Sequence, residues 1–162
     1  MRAGDRGSFE DWARARQQHL VRSAYLLTGD FQRAEDLVQE ALIRAALQWD
    51  RLREGNPDAW MRTVVYREHV SWWRRRRREV LVDAVPEEAS YDASSLPAGV
   101  MLAALATLTW NQRAVVLLRF AEDLSVAETA AVLGVSDGTV KRQTSVALAH
   151  LRALNLDPVE DR

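Results

Sequence analysis

Ser125-Val-Ala-Glu-Thr-Ala-Ala-Val-Leu-Gly-Val-Ser136-Asp-Gly-Thr-Val-Lys-Arg142 holds two helix starts with a turn between them. Ser125 and Glu128 stand at capping-box spacing, where the hydroxyl takes the third helical amide and the carboxylate returns to the cap amide. That box opens a short helix to about Leu133. Gly134-Val-Ser136 makes a tight turn. Ser136 then N-caps a final helix, expected from about Asp137 to Leu154, with Val140, Ala147, Leu148 and Leu151 facing inward. A short capped helix, a Gly-containing turn and a longer capped helix form a helix-turn-helix. In that motif the second helix enters the major groove and its N-terminal residues touch base edges. The positions that do so here are Asp137, Gly138, Thr139, Lys141 and Arg142. Gly138 permits close backbone approach, and the helix N-terminus accepts a phosphate. An ordinary helical hairpin is the plain alternative; Lys141-Arg142 and the turn chemistry favour DNA.

Upstream the chain stays helical. Thr109-Trp-Asn-Gln112 is a further capping box, and the helix it opens carries Val115, Val116, Leu117, Leu118 and Phe120. Before it, Val100, Met101, Leu102, Leu105 and Leu108 make one apolar helix. Residues 79–98 differ in kind. Glu79, Asp83, Glu87, Glu88 and Asp92 are acids with no basic residue among them, and Pro86, Pro97 and several serines break any periodicity. This is a flexible acidic linker, longer than most connections inside one domain. A strand at Val80–Val85 would find no partner.

The first half ends in Ser71-Trp-Trp-Arg-Arg-Arg-Arg-Arg78. Indole faces can stack unpaired bases, and guanidiniums neutralise phosphates. A helix end that buries its tryptophans and solvates its charges is the bland reading. Asn56-Pro57-Asp58 starts the helix that leads there: Asn as N-cap, Pro in the first turn, Asp at the positive end of the dipole. Met61, Val64, Val65 and Trp72 form its apolar stripe, flanked by Trp60 and Trp73. Earlier, a helix over 9–28 closes at Gly29, and Asp30 opens another to about Trp49, followed by a polar loop from Arg51 to Asn56. Ala34, Leu37, Val38, Ala41, Leu42, Ala45 and Trp49 face inward; Asp36, Gln39 and Glu40 share the opposite face, with Glu40 and Arg44 at ion-pair spacing.

The resulting fold class is all-α: two small helical domains, 1–78 and 99–154, joined by the linker 79–98 and followed by a polar tail, 155–162. Net charge is −1 over 162 residues and hides an asymmetry, since the five-arginine run supplies the excess of positive charge in the first domain. There are no cysteines, so neither a disulfide framework nor a thiolate metal site is available. No apolar run is long enough for a membrane span, and the N-terminus lacks a signal-peptide core. A cytoplasmic protein is expected. His19, His69 and His150 lie far apart, no cluster has metal-ligand spacing, and no phosphate loop or nucleophile motif appears. The sequence therefore reads as a non-enzyme with no metal and no cofactor.

In order, Tyr25-Leu-Leu-Thr-Gly-Asp30, Ala34-Glu-Asp-Leu-Val-Gln-Glu40, Pro57-Asp-Ala-Trp60, Trp72-Trp-Arg₅, an acidic linker, Leu133-Gly-Val-Ser136 and Gly138-Thr-Val-Lys141 run along nearly the whole chain. This series resembles the extracytoplasmic-function (group 4) sigma factors of the sigma-70 family, most of all an actinobacterial sigma-E-like branch. The resemblance implies a protein that binds core RNA polymerase and directs promoter-specific initiation. It implies polymerase binding through Asp36, Gln39 and Glu40. It implies reading and melting of the minus-ten element through Asn56, Trp60, Arg67, Trp73, Arg74, Arg75 and Arg76, with the melted non-template strand as ligand. Ser136, Gly138, Thr139, Lys141 and Arg142 would read the minus-35 duplex, the linker would thread toward the polymerase cleft, and an anti-sigma factor would be a further partner. The chain departs from the common pattern at Arg67, Ser71, Gln143 and Val146. The rival readings are a stand-alone helix-turn-helix regulator binding duplex operators as a dimer, which leaves the Trp-Trp-Arg₅ end unexplained, and an RNA-binding adaptor, which leaves the helix-turn-helix unexplained.

Overall fold

The computed structural model describes residues 3–79 and 96–154, which are helical with no strand among them. The chain divides into two compact units at Glu87/Glu88. The expected linker segment 80–95, including the strand alternative, and the tail 155–162 lie outside the described residues.

In the first unit, α1 (Ala3–Thr28), α2 (Phe31–Leu47), α3 (Trp49–Leu52) and α4 (Pro57–Glu79) succeed one another. The Gly29 turn is as expected: φ is +69°, a left-handed value that favours glycine, and its amide donates to the Tyr25 carbonyl at 2.8 Å. Asp30 caps α2 by accepting from the Arg33 amide at 3.1 Å. Helix α2 packs on both α1 and α4. Its inner stripe is largely small, and Ala34, Val38 and Ala45 are fully buried, which lets the neighbouring helices approach closely.

Three boundaries differ from the sequence expectation. Helix α1 begins at Ala3 rather than at residue 9. Asp5 in its first turn suits the helix dipole and pairs with Arg53, while the Trp49 indole N–H reaches the Ser8 hydroxyl at 3.4 Å. Helix α2 stops at Leu47, because Gln48 leaves helical geometry (φ −130°, ψ 24°). The chain then re-enters a helical turn, so Arg51 and Leu52 belong to α3 rather than to a polar loop. This break lets Trp49 bury beside Phe9 and Trp12, with ring centroids 5.4 and 5.0 Å away. On α4 the buried side chains are Met61, Val65, Tyr66, His69 and Val70; Val64 and Trp72, expected inside, are half-buried.

The second unit comprises α5 (Leu96–Ala106), α6 (Trp110–Val116), a π turn (Leu117–Ala121), α7 (Val126–Leu133) and α8 (Asp137–Ala153). The start of α5 at Leu96 shortens the expected linker. Both capping boxes form in full. In the π turn the Glu122 amide reaches the Leu117 carbonyl at 2.9 Å, and the extra residue per turn rotates the side chains at its C-terminal end out of the α-helical register. Phe120, expected among the apolar residues of this helix, is accordingly 55% exposed. Val115, Ala130 and Val140 form the core between α6, α7 and α8, with Val126, Leu133 and Val135 against it. Arg113 is buried and donates from Nε to the Leu105 carbonyl at 2.9 Å, a structural use of a cation.

Candidate nucleic-acid and partner interfaces

The helix-turn-helix has the geometry its residues require. Gly134 takes φ +66° at the end of α7. Ser136 caps α8 through its hydroxyl, which accepts from the Thr139 amide at 3.1 Å and lies 2.9 Å from the Thr139 hydroxyl. Lys141 and Arg142 are exposed, one turn into α8. Gly138 has no positive φ, and a Cβ there would meet only the Ser136 Oγ, at 3.9 Å. Nothing in the fold demands glycine at this position, so its bareness leaves the leading edge of the helix open to an approaching ligand.

The C-terminal end of α4 is built differently from a free basic patch. The Arg33 guanidinium of α2 lies over the Trp72 ring at 3.4 Å from its centroid, and Arg76 lies at 5.0 Å. His69 stacks with Trp72 at 6.1 Å, and Trp73 meets it edge-on at 5.1 Å. The Trp73 indole N–H donates to His69 Nε2 at 3.0 Å. Trp72 and Trp73 are thus members of one packed cluster. Burial lowers the pKa of Arg33 to about 10, with Asp30 opposing and Arg76 and Arg75 reinforcing the shift. It remains a cation at neutral pH. Its Nε is buried without a hydrogen-bond partner among the described residues. Sequence reasoning did not single out Arg33; it sits three residues past a cap, and only the fold brings it to Trp72.

Of the other residues expected to face the minus-ten element, Arg74 and Arg75 are exposed, and Arg76 is half-buried as it folds back on Trp72. Asn56 lies at the opposite end of α4, its side-chain oxygen engaged as a cap by the Ala59 amide at 3.0 Å. Trp60 is half-buried and Arg67 exposed. Trp60, Arg67 and Arg74 recur every seven residues and so share one face, spread over roughly 21 Å. The structure therefore arranges these residues as a line along α4 rather than as a single cluster.

Asp36, Gln39 and Glu40 are all exposed on α2, as expected. Asp36 accepts from the Gln32 side chain at 3.1 Å. Glu40 pairs with Arg44 at 2.6 Å, and Arg44 bridges to Glu68 of α4 at 2.8 Å. The hydrogen bond that Arg44 donates to Glu68, aided by the charge of Glu68 and by Glu40, raises the pKa of Arg44. Along the same face Ile43 is 62% and Leu47 84% exposed. Their places off the apolar stripe were readable from the spacing, so these two large apolar side chains on a polar face are a missed signal. No group of His, Cys, Asp and Glu suited to a metal occurs among the described residues, and no helix among them is long and apolar enough to cross a membrane.

Comparison with known proteins matches residues 5–79 to sigma-70 region 2 and residues 99–151 to sigma-70 region 4. The RNA polymerase sigma-E factor of Streptomyces coelicolor is 40% identical over 148 residues, which cover 89% of this chain and 84% of that protein. This chain belongs to the sigma-70 family. The extracytoplasmic-function sigma factor EcfG of Rhodopseudomonas palustris is 36% identical over 149 residues, covering 85% of this chain and 80% of its own length. Among solved structures, the sigma factor RpoE of Bartonella quintana, crystallised with the anti-sigma factor NepR, superposes with a TM-score of 0.70 at 29% identity, covering 93% of this chain and 99% of that one. The chain is an extracytoplasmic-function sigma factor, a DNA-binding subunit that acts with core RNA polymerase in promoter-specific initiation. The dimeric operator-binding regulator is not favoured, because the likeness includes the whole first unit.

Proposed function

We propose that this sigma factor divides its work between the two units. Asp36, Gln39 and Glu40, extended by Ile43 and Leu47, dock on core polymerase. The line along α4, from half-buried Trp60 to exposed Arg67, Arg74 and Arg75, tracks the minus-ten element and its melted non-template strand. Ser136, Gly138, Thr139, Lys141 and Arg142 read the minus-35 duplex. Two modest sites held in one holoenzyme act at high effective concentration, so neither unit needs to bind DNA tightly alone. The sigma factor performs no bond chemistry of its own, works in the cytoplasm, and is held in check by an anti-sigma factor that covers one or more of these surfaces.

The observation that supports this reading best is the exposed Asp36–Leu47 face, because a stand-alone regulator has no use for it. Reconstitution with core polymerase on a promoter library is the test. The expected result is a holoenzyme that transcribes from promoters with a shared minus-ten and minus-35 pair. Transcription unchanged after removal of the exposed groups on α2 or the N-terminus of α8 would overturn this division of labour.

A further inference from the structure

Four side chains on one face of α1 reach across to the turn that leads into α4. Asp5, Ser8, Trp12 and Arg16 keep helical spacing, so they line one face over about 16 Å. Their partners bracket the turn Arg53–Asn56 on both sides. Before it, the Ser8 hydroxyl accepts from the Trp49 indole N–H at 3.4 Å, and Asp5 pairs with Arg53 itself. After it, Asp58 in the first turn of α4 accepts from the Trp12 indole N–H at 3.2 Å and from Arg16 Nε at 3.1 Å.

Between these ties Arg53, Glu54, Gly55 and Asn56 are exposed. Local bonds close the turn: the Gly55 amide donates to the Leu52 carbonyl at 3.0 Å, and the Asn56 side chain caps α4 through the Ala59 amide. Such bonds set the shape of the turn but not its place on the first unit. Its place is set by Trp49, packed beside Phe9 and Trp12, and by the polar ties on either side. Stability does not account for those ties. The buried apolar residues of α1 lie further along, at Ala24 and Leu27, and the Arg16–Asp58 pair is about half exposed at both ends. Pairs of that kind add little to folding, yet a small energy is enough to bias an exposed turn between poses.

We propose that Asp5 and Arg16 are positioning residues for minus-ten recognition. Acting through Arg53 and Asp58, they hold the turn and the start of α4 in the pose that accepts the promoter strand, and neither needs to touch DNA. The inference rests on the reading of α4 as the minus-ten reader. Asn56 and Trp60, the first members of that set, lie within the clasp and one turn beyond it. A turn already held in one pose loses no apparent affinity to unpopulated ones.

The test uses holoenzyme reconstituted with full-length Asp5→Ala, Arg16→Ala and the double variant, with Arg67→Ala as a change in the reading line itself. Single-turnover opening is followed by permanganate reactivity, and binding to core polymerase is measured alongside. A chain that is partly unfolded lowers the amplitude of opening, whereas a misplaced turn lowers its rate constant. Asp5→Ala and Arg16→Ala are each expected to lower the rate constant about 2- to 5-fold, the factor that one exposed ion pair commands, and the double variant by about the product. Amplitude and polymerase affinity are expected to stay at the parent values. Unchanged rate constants for both α1 variants beside a slowed Arg67→Ala would overturn the clasp and leave the reading of α4 standing. If Arg67→Ala is unchanged as well, that reading falls and the clasp falls with it. A loss confined to amplitude or to polymerase binding would also overturn the proposal, marking this face of α1 as support for the fold or as a polymerase contact.

Discussion

Replacing Trp72 by Leu distinguishes a packed ring from a base-stacking platform. In the native fold the ring holds Arg33 at 3.4 Å and Arg76 at 5.0 Å, and meets Trp73 at 5.1 Å. A cation over an aromatic face is worth ~0.5–1 kcal/mol when exposed and ~2 kcal/mol when desolvated, so half-buried Arg33 contributes toward the upper figure and Arg76 toward the lower. The edge contact with Trp73 adds ~0.5–1 kcal/mol, while Leu recovers much of the apolar burial. The expected loss is about 3 kcal/mol. At roughly 4–8 °C per kcal/mol for a domain of this size, the first unit should unfold about 12–24 °C lower. Tryptophan fluorescence of the full chain reports this selectively, since Trp110 alone among the six tryptophans lies in the second unit. Arg33→Ala should reproduce about 2 kcal/mol of the effect, and the double variant should fall short of the sum by a similar amount, because both changes remove the same cation–ring pair. A midpoint within about 2 °C of the parent, together with loss of promoter opening by permanganate footprinting, would refute this account and return Trp72 to the role of stacking platform.

Other perturbations have distinct expected outcomes. Combined Asp36→Ala, Gln39→Ala and Glu40→Ala should weaken polymerase binding in a holoenzyme-assembly assay. The thermal midpoint should hardly move, because the exposed Glu40–Arg44 pair is worth at most about 0.5 kcal/mol and Arg44 keeps Glu68. Leu47→Asp, at a position 84% exposed, should weaken assembly without destabilising the fold. Lys141→Ala and Arg142→Ala should each weaken minus-35 duplex binding, and the salt slope should become shallower by roughly 0.9 for every phosphate that is no longer neutralised. Ser136→Ala removes the cap on α8 and should destabilise the second unit by about 1 kcal/mol in urea unfolding; Gly134→Ala, forced into φ +66°, should cost about 1–2 kcal/mol.

Local chemistry made much of this fold legible. Capping boxes at Ser125 and Thr109, the Asp30 cap and the Gly29 and Gly134 turns are signals carried by a few adjacent residues, and each formed as expected. The misses are those that depend on distant partners. The extension of α1 to Ala3 rests on Arg53 and Trp49, more than forty residues away. The break at Gln48 has no Pro or Gly to announce it; burial of Trp49 among Phe9 and Trp12 accompanies it. The π turn that carries Phe120 likewise lacks a local signature. Among the functional candidates, composition marked the arginine run, while periodicity alone could not show that Arg33 would occupy a face of Trp72.

Helix α2 gives the first unit its mechanical logic. One face presents Asp36, Gln39 and Glu40 outward, and the flanks of the same helix hold α4 at two points: Arg33 over Trp72 near its C-terminal end, and Arg44 on Glu68 a turn earlier. Under the proposed division of labour, a polymerase that grips α2 also fixes the line of residues along α4 assigned to the minus-ten element. These two cross-links bear unequal loads. Arg44–Glu68 is a partly exposed ion pair that salt screens, whereas Arg33 is half-buried against an aromatic face that salt screens far less. Loss of Arg33 should accordingly impair promoter opening at all ionic strengths, and loss of Arg44 mainly at low salt. Equal salt dependence of open-complex formation for Arg33→Ala and Arg44→Ala holoenzymes would show that the two links do not divide the load in this way.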